Sequence, residues 1–142
     1  MGRKNSPSAN KELNELIAQY ETARAENRQL YLDGDQLADI ADQYAAGRKF
    51  NEAQEVITYG LHLHPDSTDL LVEQAYLYLD TGKIPLAKKV VESITDEYDT
   101  DVKMLKAELM LNEGQLENAR NVLDTIEDAD ELETIINIVY LY

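Results

Sequence analysis

Apolar residues recur along this chain at helical spacing, and the recurrence itself repeats. Leu37, Ile40, Ala41 and Tyr44 fall on one stripe at intervals of three, one and three residues, the pattern of a helix with one buried face. Three later segments share a second pattern: GRKFNEAQEVI (47–57), GKIPLAKKVV (82–91) and GQLENARNVL (114–123). Each holds a glycine, then an apolar residue, an alanine three residues on, and an apolar pair. Ala53, Ala87 and Ala119 head this register, 34 and then 32 residues apart. Phe50, Ile84 and Leu116 align with them, as do Val56, Val90 and Val122, and Ile57, Val91 and Leu123. Upstream, Ala41, Ala75 and Ala107 correspond, each three residues before Tyr44, Tyr78 or Met110. A fixed period of this length predicts a stack of similar units.

Punctuation divides each unit into two helices. Glycine ends the first, because it takes the left-handed conformation that a helix C-terminus often needs. A second amphipathic helix at about 51–63 is stopped by Pro65. Pro85 falls where the first turn of the corresponding helix begins, and its missing N–H costs nothing there. Alanine at 41 and 53 lets two helices joined by a tight turn approach closely. Each pair then exposes an apolar face that only a neighbouring pair covers.

Leu37, Ala41, Tyr44, Phe50, Ala53 and Pro65 in the first unit, and Leu71, Ala75, Tyr78, Gly82 and Ala87 in the second, resemble the tetratricopeptide repeat family. The resemblance implies an all-α, right-handed helix-turn-helix solenoid of about 3.5 units with an N-terminal capping helix. The organisation expected is a disordered start (1–10), a capping helix and connector (11–33), and repeats at 34–67, 68–99 and 100–129 with a partial one at 130–142. The third unit is looser, since Lys103 and Lys106 replace Leu37 and Ile40. Residues 11–26 place Leu13, Leu16, Ile17, Tyr20 and Ala23 on one face but lack the glycine–alanine register, as suits a cap. Residues 131–142, ELETIINIVYLY, read as the first helix of a fourth pair, with the next glycine due about residue 144. That ending suggests a longer repeat protein cut short, with a homodimer through the exposed C-terminal helix as one consequence.

Charge narrows the partner. The 142 residues carry 28 acidic and 13 basic groups, a net charge of −15. Residues 1–33 balance, so the whole excess lies in 34–142. Such a surface repels nucleic-acid phosphates and anionic lipid and favours cationic partners. No apolar run approaches the roughly 20 residues that span a bilayer. Without a hydrophobic stretch after its two basic residues, the N-terminus is not a secretory signal. A cytoplasmic location is compatible with the lack of cysteine.

Little in the chain suggests chemistry. A calcium loop begun at Asp33 would need glycine at its sixth place and glutamate at its twelfth, which hold Ala38 and Tyr44. Asp35, Asp69, Asp101 and Glu131 instead recur where first helices start, suited to capping N–H groups or opposing the dipole. His62 and His64, two residues apart, point to different faces and cannot grip a metal as an i, i+4 pair would. No phosphate-cradling loop and no serine nucleophile motif appears. The chain reads as no enzyme, with no cofactor.

In the family resembled, the first helix of each pair lines a concave face that takes up a peptide. The adjoining residues here are Ala38, Asp39, Asp42 and Ala45, then Val72, Glu73, Tyr76 and Asp80, then Met104, Glu108 and Asn112. The candidate peptide-binding set is thus Asp39, Asp42, Glu73, Tyr76, Asp80, Glu108 and Asn112. Members that clamp a terminal carboxylate use lysine, arginine and asparagine there, and those are largely missing. A basic or apolar segment fits better. The rival readings are that these acids are solvated helix sides, and that the chain is a structural spacer or self-assembly element with no groove ligand.

Overall fold

The computed structural model of the protein describes residues 7–126, with side chains from Asn10 onward. Seven helices run in order: α1 (Pro7–Ala25), α2 (Gly34–Ala46), α3 (Phe50–Leu63), α4 (Thr68–Asp80), α5 (Ile84–Ser93), α6 (Thr100–Asn112) and α7 (Leu116–Leu123). The described residues contain no strand. This is an all-α helical repeat. Two compact units divide the chain, the boundary falling between Glu73 and Gln74 inside α4. Residues 130–142, including the proposed fourth first-helix and its dimer contact, lie outside the described residues.

Six alanines show why the register is what it is. Ala41, Ala53, Ala75, Ala87, Ala107 and Ala119 are all 2% exposed or less. In the first unit, α2 packs along α3, burying Leu37, Ile40 and Tyr44 from one side and Val56 and Ile57 from the other. α1 adds Tyr20 and Ala23 to this core, and the Tyr20 and Tyr59 rings meet at 6.3 Å. α1 reaches back to Pro7, four residues before the start expected for the capping helix. In the second unit Ala107, Ala119, Leu123 and Ile126 form a cluster against Met104, Met110, Leu111 and Val122.

The turn inside each pair is one motif used three times. Lys49 N–H donates to the Tyr44 carbonyl at 2.8 Å, Lys83 N–H to Tyr78 at 2.7 Å, and Gln115 N–H to Met110 at 2.8 Å. These six-to-one bonds close a Schellman turn. The left-handed residue is Gly82 in the second pair and Gly114 in the third, each at φ +77°. In the first pair it is not Gly47, whose φ is −86°, but Arg48 at φ +61°. Counted back from Phe50, Ile84 and Leu116, Arg48 is the residue aligned with Gly82 and Gly114. Gly47 sits one position early.

The helix starts also move relative to expectation. Val102 N–H donates to Asp99 Oδ1 at 3.2 Å, Leu70 N–H to Ser67 Oγ at 3.3 Å, and Asp33 N–H to Gln36 Oε1 at 2.9 Å. The caps are therefore Asp33, Ser67 and Asp99. Asp35, Asp69 and Asp101 occupy the first turn, where they oppose the dipole. Glu131 lies outside the described residues.

The change of step from 34 to 32 has a local cause. α3 has 14 residues and α5 has 10, while the connector after α5 (94–99) is longer than that after α3 (64–67). At the end of α5, Ser93 Oγ donates to the Val90 carbonyl at 2.6 Å. Thr125 Oγ1 does the same to Val122 at 2.7 Å just after α7. The aligned residue in α3 is Tyr59, which makes no such bond and lets the helix continue. α6 meets its looser pattern by burying Val102 and Leu105, both fully covered. Lys103 is only half buried, and its ammonium donates to the Thr125 carbonyl at 3.1 Å.

Candidate functional site

The residues expected on a concave face sit on three helices, and their environments differ. On α2, Asp39 and Asp42 are one turn apart and half-buried, while Ala38 is fully covered. Along α4, Glu73, Tyr76 and Asp80 follow at i, i+3 and i+7, which puts them on one side. Their exposure rises along that line. Glu73 is 7% exposed, Tyr76 intermediate and Asp80 open. Val72 is buried as well, so α4 offers less open surface than its sequence suggested.

In the second unit the acids act on one another. Glu108 is half-buried on α6. Burial pushes its carboxyl above the usual range, and the Asp80 carboxylate adds to the rise. Asn112, one turn on, is exposed and donates from Nδ2 to the Glu108 carbonyl at 3.0 Å. Asp80 and Glu108 thus lie within electrostatic reach, two like charges held near each other in a partly desolvated place. No group of histidines and acids able to hold a metal occurs among the described residues.

His64 has structural work instead. His64 Nε2 bonds the Leu32 carbonyl at 2.8 Å, and its ring meets Tyr31 edge-on at 5.4 Å. Tyr59 Oη donates to the Leu30 carbonyl at 2.9 Å. Together they fasten the connector between α1 and α2 to α3. Tyr44 Oη donates to Glu21 Oε2 on α1, and burial followed by that bond raises the phenol well above its ordinary value.

Sequence reasoning missed a second feature of the first unit. A depression of about 240 Å³ opens between the end of α1, the connector and α3. Six of its eight lining residues are polar, namely Tyr20, Arg24, Asn27, Arg28, Gln29 and Tyr59, and none is an acid. A wider hollow of about 400 Å³ adjoins it and shares Arg28 and Leu30. The only available signal was the balanced charge of residues 1–33, which marks this end as unlike the rest.

A tetratricopeptide repeat family model matches residues 44–109, from the end of α2 into α6. Over that stretch the chain is similar to a tetratricopeptide repeat. Repeats of this family bind protein partners and mediate protein–protein interaction, and the family is typically a non-enzymatic interaction module. Searches of curated proteins and of solved structures gave no match. No helix among the described residues is long and apolar enough to cross a membrane.

Proposed function

We propose that the chain is an interaction module whose acidic first-helix side chains engage a cationic segment of a protein partner in the cytoplasm. The observation that carries this is the Asp80–Glu108 pair. A carboxyl raised by burial and by a like charge is relieved when an ammonium or guanidinium arrives, so a basic side chain gains more here than at a solvated acid. Tyr76, on the same side of α4 as Asp80, supplies an aromatic face for the stem or head of that side chain. Asn112 extends the polar set of the second unit, and Asp39 and Asp42 form a separate acidic pair on α2 of the first. Glu73, only 7% exposed, is not an open contact.

The test is titration of a fluorescein-labelled lysine–leucine peptide, followed by anisotropy, against the wild type and an Asp80→Asn/Glu108→Gln double variant. The expected result is binding that weakens as salt rises and about tenfold weaker binding by the double variant, the size of one partly desolvated charge contact. Equal affinity for both proteins rejects the acidic pair as the site. It would leave the spacer or self-assembly reading, whose signature is association of the chain with itself in sedimentation.

A further inference from the structure

Three tyrosines meet in the first unit, and only two of them have settled hydroxyls. Tyr44 donates to Glu21 and Tyr59 to the Leu30 carbonyl. Tyr20 is 5% exposed, yet its fully buried hydroxyl has no hydrogen-bond partner. Buried polar groups nearly always find one. Tyr20 also lines the 240 Å³ depression, together with Arg24, Arg28, Asn27 and Gln29. On a chain with more than twice as many acids as bases, this is a wall of donors containing no acid.

We propose that this depression binds a carboxylate, carried by an acidic side chain of a partner polypeptide. Guanidinium groups are the side chains best suited to carboxylates, and each arginine here has only an exposed local counterion. Arg24 lies 3.5 Å from Glu55 and Arg28 2.6 Å from Glu26, with all four side chains about half exposed. Exposed pairs of this kind are weak, so exchange of Glu55 for an incoming carboxylate is inexpensive. Arg24 also lies over the Tyr59 ring at 5.9 Å. Tyr20 lines the same depression, and its hydroxyl, still without a partner, is the donor for the second carboxylate oxygen. The adjoining 400 Å³ hollow, walled by Ala18, Gln19 and Thr22, leaves room for the flanking residues of a chain, which a free small acid would not need.

This site differs from the acidic face in the charge it takes and in its salt dependence. The net charge of −15 opposes an anionic ligand at long range. Screening shortens that repulsion to about 8 Å at physiological ionic strength, so moderate salt strengthens binding here and weakens it at the acidic face. Failure of one site is thus separable from failure of the other.

The experiment is titration of the ¹⁵N-labelled full chain with N-acetyl-Ala-Glu-Ala-amide, with the Gln analogue and sodium acetate as separate arms. Saturating shifts are expected for the amides of residues 20–30 and Tyr59 with the Glu probe, and none with the Gln probe. Tyr20→Phe should weaken binding by about tenfold or more, the effect of one hydrogen bond to a charged group, while leaving the melting temperature unchanged or higher. Arg24→Gln, at an exposed position, should weaken it further without unfolding the protein. Absence of saturation, equal shifts from the Gln probe, or a Tyr20→Phe protein that binds normally would overturn the proposal. Acetate binding as tightly as the peptide would overturn the assignment to a polypeptide.

Discussion

Gly60 in α3 lies so close to Leu70 in α4 that a methyl group on it would sit 2.8 Å from Leu70 Cδ1 and 3.0 Å from Cδ2. Leu70 is fully buried and has no room to withdraw. Gly60→Ala is therefore expected to destabilise the protein by about 1 kcal/mol, and by no more than about 2. Overpacking of about 1–3 kcal/mol outweighs the roughly 1 kcal/mol that alanine gains over glycine in a helix. Urea unfolding measures this, and an alanine variant more stable than wild type would show that the contact relaxes.

Arg48 holds a left-handed conformation that Gly82 and Gly114 adopt without strain. Arg48→Gly should stabilise the first pair by about 0.5 kcal/mol, as relief of roughly 1 kcal/mol of backbone strain exceeds loss of an exposed cation–π contact. That contact places the guanidinium 5.6 Å from the Phe50 ring. Gly82→Ala and Gly114→Ala should each cost about 1 kcal/mol for the converse reason. A Cβ on either meets nothing within 4 Å, so thermal melts of these two variants read backbone conformation alone.

Tyr44 makes stability sensitive to alkali. Its folded-state pKa is raised above the ordinary value of 10.0 by burial and by the bond to Glu21. The associated stability is fully present below about pH 10 and is lost as pH rises toward the folded-state value. Tyr44→Phe should cost about 1.5 kcal/mol at pH 7 through the lost charge-assisted bond. It should also flatten the decline above pH 10, which stability measured at pH 7, 9 and 10.5 would reveal.

Glu108 acts at the acid end. Its carboxyl is raised above the ordinary value of 4.5 by burial and then by Asp80, so ionising it in the fold is unfavourable. Both folded and unfolded chains bind this proton below about pH 4.5, and the penalty appears as pH rises through the folded-state value. Glu108→Gln should raise the melting temperature at pH 7, with the gain disappearing by pH 4. A gain that persists at pH 4 would assign the effect to packing and not to charge.

Much of the fold was legible because it rests on periodicity. The six buried alanines and the carbonyl acceptors Tyr44, Tyr78 and Met110 all stand at register positions readable from spacing. The first-pair turn was misread, since Gly47 is the nearest glycine but Arg48 holds the aligned place. The recurring Asp35 and Asp69 stand in the first turn, where they oppose the dipole as one of the two readings had it, while Asp33 and Ser67 two residues earlier hold the cap places. The candidate site was legible as a set of residue types on three helices. Their exposure was not, as the contrast between buried Glu73 and open Asp80 on one side of α4 shows.

The sequence by itself determined which segments are helical, where each pair turns and which small residues face inward, since these follow from local periodicity, glycine and proline. Only the tertiary structure decided which polar groups are satisfied. That Tyr44 reaches Glu21 across 23 residues, that Tyr59 takes the Leu30 carbonyl, and that Tyr20 is left without a partner depend on how α1 and its connector settle against α2 and α3. No local pattern encodes that geometry, because hydrogen bonding between distant segments depends on ångström-scale placement, whereas helix formation depends on neighbours in the chain.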